Sequence, residues 1–147
     1  MIDLITTWKS NNQTIVFTNG CFDIIHPGHI SYLKDASKLG DKLVVGLNSD
    51  SSVQTIKGPK RPINNEYFRR TLLESIRYVD LVLIFNAETP IELIKFVKPD
   101  ILCKGGDYSI EQIVGWDFME EIGGQTLSLP FKNGFSSSQI IDKIRAL

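Results

Sequence analysis

Short apolar runs rich in β-branched residues alternate along the chain with longer segments of helical period, and this alternation decides the fold class before any motif is considered. The runs lie at residues 14–18, 42–47, 80–85, 100–103 and 125–129. Each is bounded by turn formers, as fully buried strands are. Between them Ile30, Leu33, Ala36 and Leu39 line one helical face that Gly40 is placed to cap, and Phe68, Leu72, Leu73, Ile76 and Val79 line another. Further helices fit residues 2–10, 90–97, 109–122 and 136–146. Strands separated by helices of this length predict an α/β domain built on a parallel five-stranded sheet, doubly wound with helices on both faces and the first strand central. The 147 residues show no repeat and no linker, so one domain is expected over 1–147. Ligands meet such sheets beyond the carboxyl ends of the strands. The residues just after each strand are therefore the informative ones.

Charge nearly cancels, with 16 Lys and Arg against 17 Asp and Glu. Neither a nucleic-acid surface nor an anionic membrane surface is expected, and any anion must be held by local clusters. No apolar run approaches the roughly 18–20 residues that span a bilayer. The first ten residues lack the basic-then-apolar pattern of a secretory leader, so a cytoplasmic location is expected. Cys21 and Cys103 have no CxxC or Cys/His spacing. Both are expected as buried small apolar side chains rather than as zinc ligands or a disulfide.

After the first strand the chain reads Thr18-Asn19-Gly20-Cys21-Phe22-Asp23-Ile24-Ile25-His26-Pro27-Gly28-His29 and enters the first long helix. Both histidines of the chain lie in this stretch. A single histidine would read as an ordinary satisfied side chain. Two of them spaced HxGH at a helix start combine imidazole donors with free backbone N–H groups and the positive end of the helix dipole, which is phosphate-binding chemistry. No third His, Cys or Glu stands at zinc-ligand spacing, so no metal site is assigned to protein side chains. A second segment, Asn133-Gly134-Phe135-Ser136-Ser137-Ser138, opens the last helix. Alone it reads first as a serine N-cap; beside HxGH it reads as a second phosphate-binding helix start. The Gly- and Pro-rich stretch Lys57-Gly58-Pro59-Lys60-Arg61-Pro62 reads as a basic loop, able to close over an anion or simply to sit in solvent. Arg69 and Arg77 are expected on one face of the helix that follows.

Together with Leu47-Asn48-Ser49-Asp50 and Lys104-Gly105-Gly106-Asp107-Tyr108, these stretches resemble the cytidylyltransferase-like branch of the HxGH nucleotidyltransferases. The likeness runs from about Thr14 onward, and the Lys-Gly-Gly-Asp-Tyr stretch narrows it to the heptose 1-phosphate adenylyltransferases. The resemblance implies a Rossmann-like sheet and transfer of AMP from ATP, with Mg2+, to a D-glycero-β-D-manno-heptose 1-phosphate, giving ADP-heptose and pyrophosphate. It assigns catalytic roles to His26, His29 and Lys57. It places Thr18, Asn19, Gly20, Cys21, Phe22 and Asp23 along the nucleotide's path, Arg69, Lys104, Gly106 and Asp107 at the nucleotide site, and Ser136 and Ser137 on the outer phosphates. The partners implied are ATP and a sugar 1-phosphate, with no nucleic acid or membrane, and a homodimer is compatible with them. The likeness covers only the adenylyltransferase half of bifunctional relatives, so a separate kinase is expected to supply the acceptor. Two departures stand out: Ile141 occupies the place of an arginine that many relatives carry, and Phe131 replaces the arginine of glycerol 3-phosphate cytidylyltransferases. The second favours the adenylyl reading.

A sugar phosphate with a second pKa near ~6 is already a dianionic nucleophile at neutral pH. Such a reaction needs in-line positioning and charge stabilisation rather than a general base. The competing readings are a cytidylyltransferase for glycerol 3-phosphate or a phosphocholine-type acceptor, an FMN adenylyltransferase, and a nucleotide-binding regulatory module without turnover.

Overall fold

The computed structural model describes residues 2–147. Its elements run α1 (Ile2–Ser10), β1 (Ile15–Gly20), α2 (Pro27–Ser37), β2 (Lys42–Asn48), α3 (Asp50–Lys57), α4 (Glu66–Glu74), β3 (Leu81–Phe85), α5 (Ile91–Val97), β4 (Ile101–Gly105), a 3-10 turn (Ile110–Gln112), α6 (Trp116–Ile122), β5 (Gln125–Leu129) and α7 (Ser137–Arg145). The five strands form one sheet in the order β3-β2-β1-β4-β5, and every pairing is parallel. The sheet is thus Rossmann-like, with β1 at its centre. The strand order reverses between β1 and β4, where sheets of this kind open a crevice for ligand.

β2 and β3 are apolar on both faces because helices cover both, while the edge strand β5 carries Thr126 and Ser128 on one face. On one side Ile15 and Phe17 of β1 pack with Val44, Leu83 and Leu102 beneath Trp8 of α1, Ile94 of α5 and Met119 of α6. On the other, Val16 packs with Val45, Leu47 and Cys103 beneath Tyr32 and Leu33 of α2 and Leu73 of α4. Alternate residues of one strand serve opposite cores, as the two-residue period of a strand requires.

Several helix boundaries differ from the sequence expectation for identifiable reasons. α2 ends at Ser37 with Lys38 as its cap, not at Gly40. Gly40 instead lies where the chain passes close to β1, and a Cβ there would stand 2.8 Å from the Thr14 carbonyl oxygen. The segment 109–122 is not one helix: Gly115 adopts φ 98° and lets Ile94 approach, which separates the 3-10 turn from α6. Residues 50–57, expected to lead into a loop, form α3, whose start is capped by the Ser49 hydroxyl accepting from the Ser52 N–H. α4 turns Arg69 and Leu73 inward and leaves Phe68 and Leu72 exposed. It stops before Arg77, which stacks on Tyr78 instead of sharing a face with Arg69.

Gly46 sits in β2 where a Cβ would come within 2.8 Å of the Phe17 ring and 3.2 Å of Leu93. Gly46→Val should therefore lower stability by about 1–3 kcal/mol through overpacking. The readout is a lower urea midpoint at unchanged m-value.

Candidate active site

A cleft of about 540 Å³ opens over the carboxyl ends of β1, β2 and β4. Of the residues singled out by sequence, Asn19, Gly20, Cys21, Phe22, Asp23, His29, Lys57 and Lys104 line it. Asn48, Tyr108 and Phe131, from stretches quoted for the resemblance, line it too, and the structure adds Tyr32, Glu88, Thr89 and Gln112. Glu88 and Thr89 follow the end of β3, the signal by which the 86–90 loop was findable.

The HxGH segment builds its own helix start. The His26 Nδ1 accepts from the Gly28 N–H at 3.1 Å, and the His29 Nδ1 accepts from the His26 N–H at 3.2 Å. Two orphan donors of α2 are thereby satisfied by imidazole nitrogens, a capping box made of histidines. An Nδ1 that accepts carries no proton, so each neutral ring keeps its proton on Nε2. The rings stack with centroids 3.8 Å apart, and His26 also stacks at 6.1 Å on Phe135, just ahead of α7. Burial, the neighbouring His26 and the Lys57 ammonium bring the His29 pKa down to about 4, and burial lowers that of His26 as well. Both are neutral donors at pH 7.

Gly28 must be glycine, because a Cβ would lie 2.9 Å from the His26 ring and 3.0 Å from Phe135. Phe22 folds its ring beside His29 at 5.5 Å. Phe22 and Ile24 adopt left-handed φ of 46° and 50°, a conformation that non-glycine residues hold only when their surroundings enforce it.

Two groups enforce it. Arg69 is fully buried, and its guanidinium donates to the carbonyls of Cys21 (2.7 Å), Asn48 (2.8 Å) and Asn64 (2.9 Å) and to the Asp50 carboxylate (2.7 Å). Asp23 is buried beneath the cleft lip and accepts from the Ile63 N–H at 2.7 Å, the Asn64 N–H at 3.0 Å and the Arg61 Nε at 3.3 Å. Both side chains are engaged by protein partners; Asp23 also lines the cleft, whereas Arg69 lies beneath it. Thr18 is engaged in the same way: it is buried and hydrogen-bonded to the Tyr32 hydroxyl at 2.6 Å.

At the other helix start, the Ser136 hydroxyl caps α7 by accepting from the Gln139 N–H at 3.3 Å, and the Ser137 hydroxyl donates to the Asp23 carbonyl at 2.6 Å. Ser137 thus ties α7 to the HxGH loop, while the Ser136 hydroxyl, an acceptor in its cap, keeps its own O–H to donate. Gly106 makes the turn after β4 at φ 117°, and Asp107 projects into solvent outside the cleft lining. Lys104 is half-buried, with its pKa lowered by burial. Lys57 is exposed at the last turn of α3 rather than in a loop. Cys103 is buried as expected, but Cys21 is half-buried in the cleft wall. Among the described residues no group of three or more His, Cys, Asp or Glu is placed to hold a metal ion, and no helix is long and apolar enough to cross a membrane.

Comparison with known proteins places this geometry among relatives. The family described as cytidylyltransferase-like matches residues 17–143. The Bifunctional protein HldE of Campylobacter jejuni subsp. jejuni serotype O:6 is 51% identical over 97% of this chain, and that of Marinomonas sp. is 50% identical over 97%. The chain spans about 30% of the length of these curated relatives. Among solved structures, a lipopolysaccharide core biosynthesis protein from Thermoplasma volcanium GSS1 superposes with a TM-score of 0.68 at 31% identity, over 82% of this chain and 97% of that one.

Arg69→Met should destabilise the fold by about 3–5 kcal/mol, because it strands a carboxylate and three carbonyls that share one cation; chemical denaturation measures this. The His29 pKa, lowered from 6.5 to about 4, makes stability fall with acid. Below pH 6.5 the unfolded chain takes up a proton that the native ring refuses, so stability declines from there to about pH 4 and levels off below. NMR titration of the ring protons together with denaturation at each pH tests this window.

Proposed function

The chain belongs to the cytidylyltransferase-like family of nucleotidyltransferases, and from that premise we propose that it transfers AMP from ATP to a D-glycero-β-D-manno-heptose 1-phosphate, releasing pyrophosphate and ADP-heptose. The observation that carries this reading is the pair of imidazoles whose Nδ1 atoms are occupied by helix capping, leaving Nε2–H as the group each can offer a phosphate. A neutral donor held before the substrate arrives needs no reorganisation as charge moves onto the leaving group.

In this reading the triphosphate lies along the N-termini of α2 and α7, where backbone N–H groups and helix dipoles face it. The acceptor phosphate, already ionised, attacks the α-phosphorus in line, and the α-phosphorus–oxygen bond to pyrophosphate breaks. Lys57 and Lys104 meet the phosphate charge from the cleft walls. Lysine suits this role as a compact charge on a flexible stem. No residue has to remove a proton from the nucleophile. Mg2+ accompanies ATP in this reading, but the donor set offers it no protein cage: Asp23, the carboxylate nearest the histidines in sequence, is filled by Arg61 and two backbone N–H groups. The ion would be carried by the triphosphate oxygens, and no step is assigned to it.

The replacement of arginine by Phe131 supports ATP over CTP. The alternative, a cytidylyltransferase for glycerol 3-phosphate, differs in both substrates. Pyrophosphate release from ATP and from CTP, each with heptose 1-phosphate and glycerol 3-phosphate, separates the two, and the heptose and ATP combination is expected to be fastest. In that assay His29→Ala and His26→Ala should lower kcat by roughly 10²-fold or more, as loss of one preorganised donor does. Lys57→Ala should reduce kcat more than it weakens binding of either substrate. Turnover at the wild-type rate in all three variants overturns the assignment.

A further inference from the structure

The cleft wall facing α2 carries groups to which nothing above gives a task. Glu88 and Thr89 come from the loop after β3, and Gln112 from the 3-10 turn; all three line the cleft. Their backbones are fixed. The Ala87 carbonyl accepts from the Ser52 hydroxyl at 2.7 Å, and that hydroxyl in turn accepts from the Asn48 side-chain amide at 2.9 Å. Pro90 is buried at the start of α5, and the Gln112 N–H is bonded to the Ser109 carbonyl at 3.0 Å. The side chains are not spent. Among the described residues the ion pairs involve other carboxylates, and Glu88 enters none of them.

A carboxylate is an acceptor only, and it repels phosphate. Glu88, Thr89 and Gln112 are exposed at the cleft, and in a cleft read as binding a triphosphate and a phosphomonoester a carboxylate there suits the uncharged part of a ligand, where hydroxyl groups supply donors. Thr89 and Gln112 add a donor and an acceptor each within the same wall. Lys57 and Lys104 provide the phosphate end of such a ligand. We propose that Glu88, Thr89 and Gln112 form the polyol-reading wall of the acceptor subsite, binding sugar hydroxyls while the two lysines take the 1-phosphate. This rests on the adenylyltransferase reading above and adds the residues that select a polyhydroxylated acceptor. The ribose of ATP offers the same hydroxyl chemistry. The acceptor is preferred because α2, whose N-terminus is assigned to the triphosphate, packs on the opposite face of the sheet to α5, which follows Glu88.

The test uses the full chain, with acceptor and ATP varied separately in a pyrophosphate-release assay. Glu88→Ala should raise KM for the sugar 1-phosphate roughly tenfold or more, as loss of a hydrogen bond to a charged group does, with KM for ATP unchanged within about twofold. Glu88→Gln, which keeps one acceptor oxygen, should fall between wild type and Glu88→Ala, and Gln112→Ala should shift the same constant in the same direction. Calorimetric binding of the sugar 1-phosphate to Glu88→Ala should weaken in parallel. An unchanged acceptor KM in Glu88→Ala overturns the proposal, as does an equal rise in KM for ATP, which would place the wall on the ribose. Wild-type protein that releases no pyrophosphate from ATP with any sugar 1-phosphate overturns the underlying reading itself, an outcome distinguished by needing no variant.

Discussion

One buried guanidinium ties the active end of this molecule together. Arg69 has no solvent contact, yet its donors reach the loop after β1 through Cys21, the end of β2 through Asn48, the first residue of α3 through Asp50, and the approach to α4 through Asn64. A charge that deep is costly unless its hydrogen bonds are met. Four partners at 2.7–2.9 Å meet them. The same bonds help hold Phe22 and Ile24 in left-handed backbone, a strain on the order of 1–3 kcal/mol at each residue. The strained loop ends at His26, so the position of the first imidazole is set by an arginine on a helix more than forty residues later, at a sequence separation of 48 from Cys21.

The histidines show how a structural duty can define a chemical one. Each uses Nδ1 to satisfy an N–H that the start of α2 would leave without a partner. Tautomer and ring orientation follow from that bond, and burial keeps both rings neutral. A different residue at either position would alter the cap and the donor together. Pro27 and Gly28 complete the arrangement: proline has no N–H to leave unsatisfied at the first helical position, and glycine gives the ring of His26 room to turn back on its own helix.

The sheet was legible because strands buried on both faces announce themselves as apolar runs, and β2 and β5 begin at the residues expected, Lys42 and Gln125. HxGH was legible because capping depends on local spacing. The rest depended on distant partners. Arg69 and Leu73 face inward in α4 although Phe68 and Leu72 are the more apolar choice, since only the assembled loops can compensate a buried cation. α3 buries only Ser52 and Val53, too little to register as periodicity. Asp23 and Ser137 were legible as polar residues at a strand end and a helix start, but their protein partners were not. Each is occupied by a partner that sequence cannot indicate, 38 to 41 positions away for Asp23 and 114 for Ser137.

That last separation bears on how the protein comes into being. The bond from Ser137 to the Asp23 carbonyl, with the stacking of Phe135 on His26, joins the start of α7 to a loop formed near the beginning of the chain. During synthesis, β1, β2 and the helix between them can assemble from local contacts as soon as they emerge. The clasp cannot close until residue 137 has left the ribosome. A nascent chain therefore passes through a stage with most of its sheet in place and the HxGH loop not yet clasped by α7, so the final geometry of that loop should arrive late in the life of each molecule.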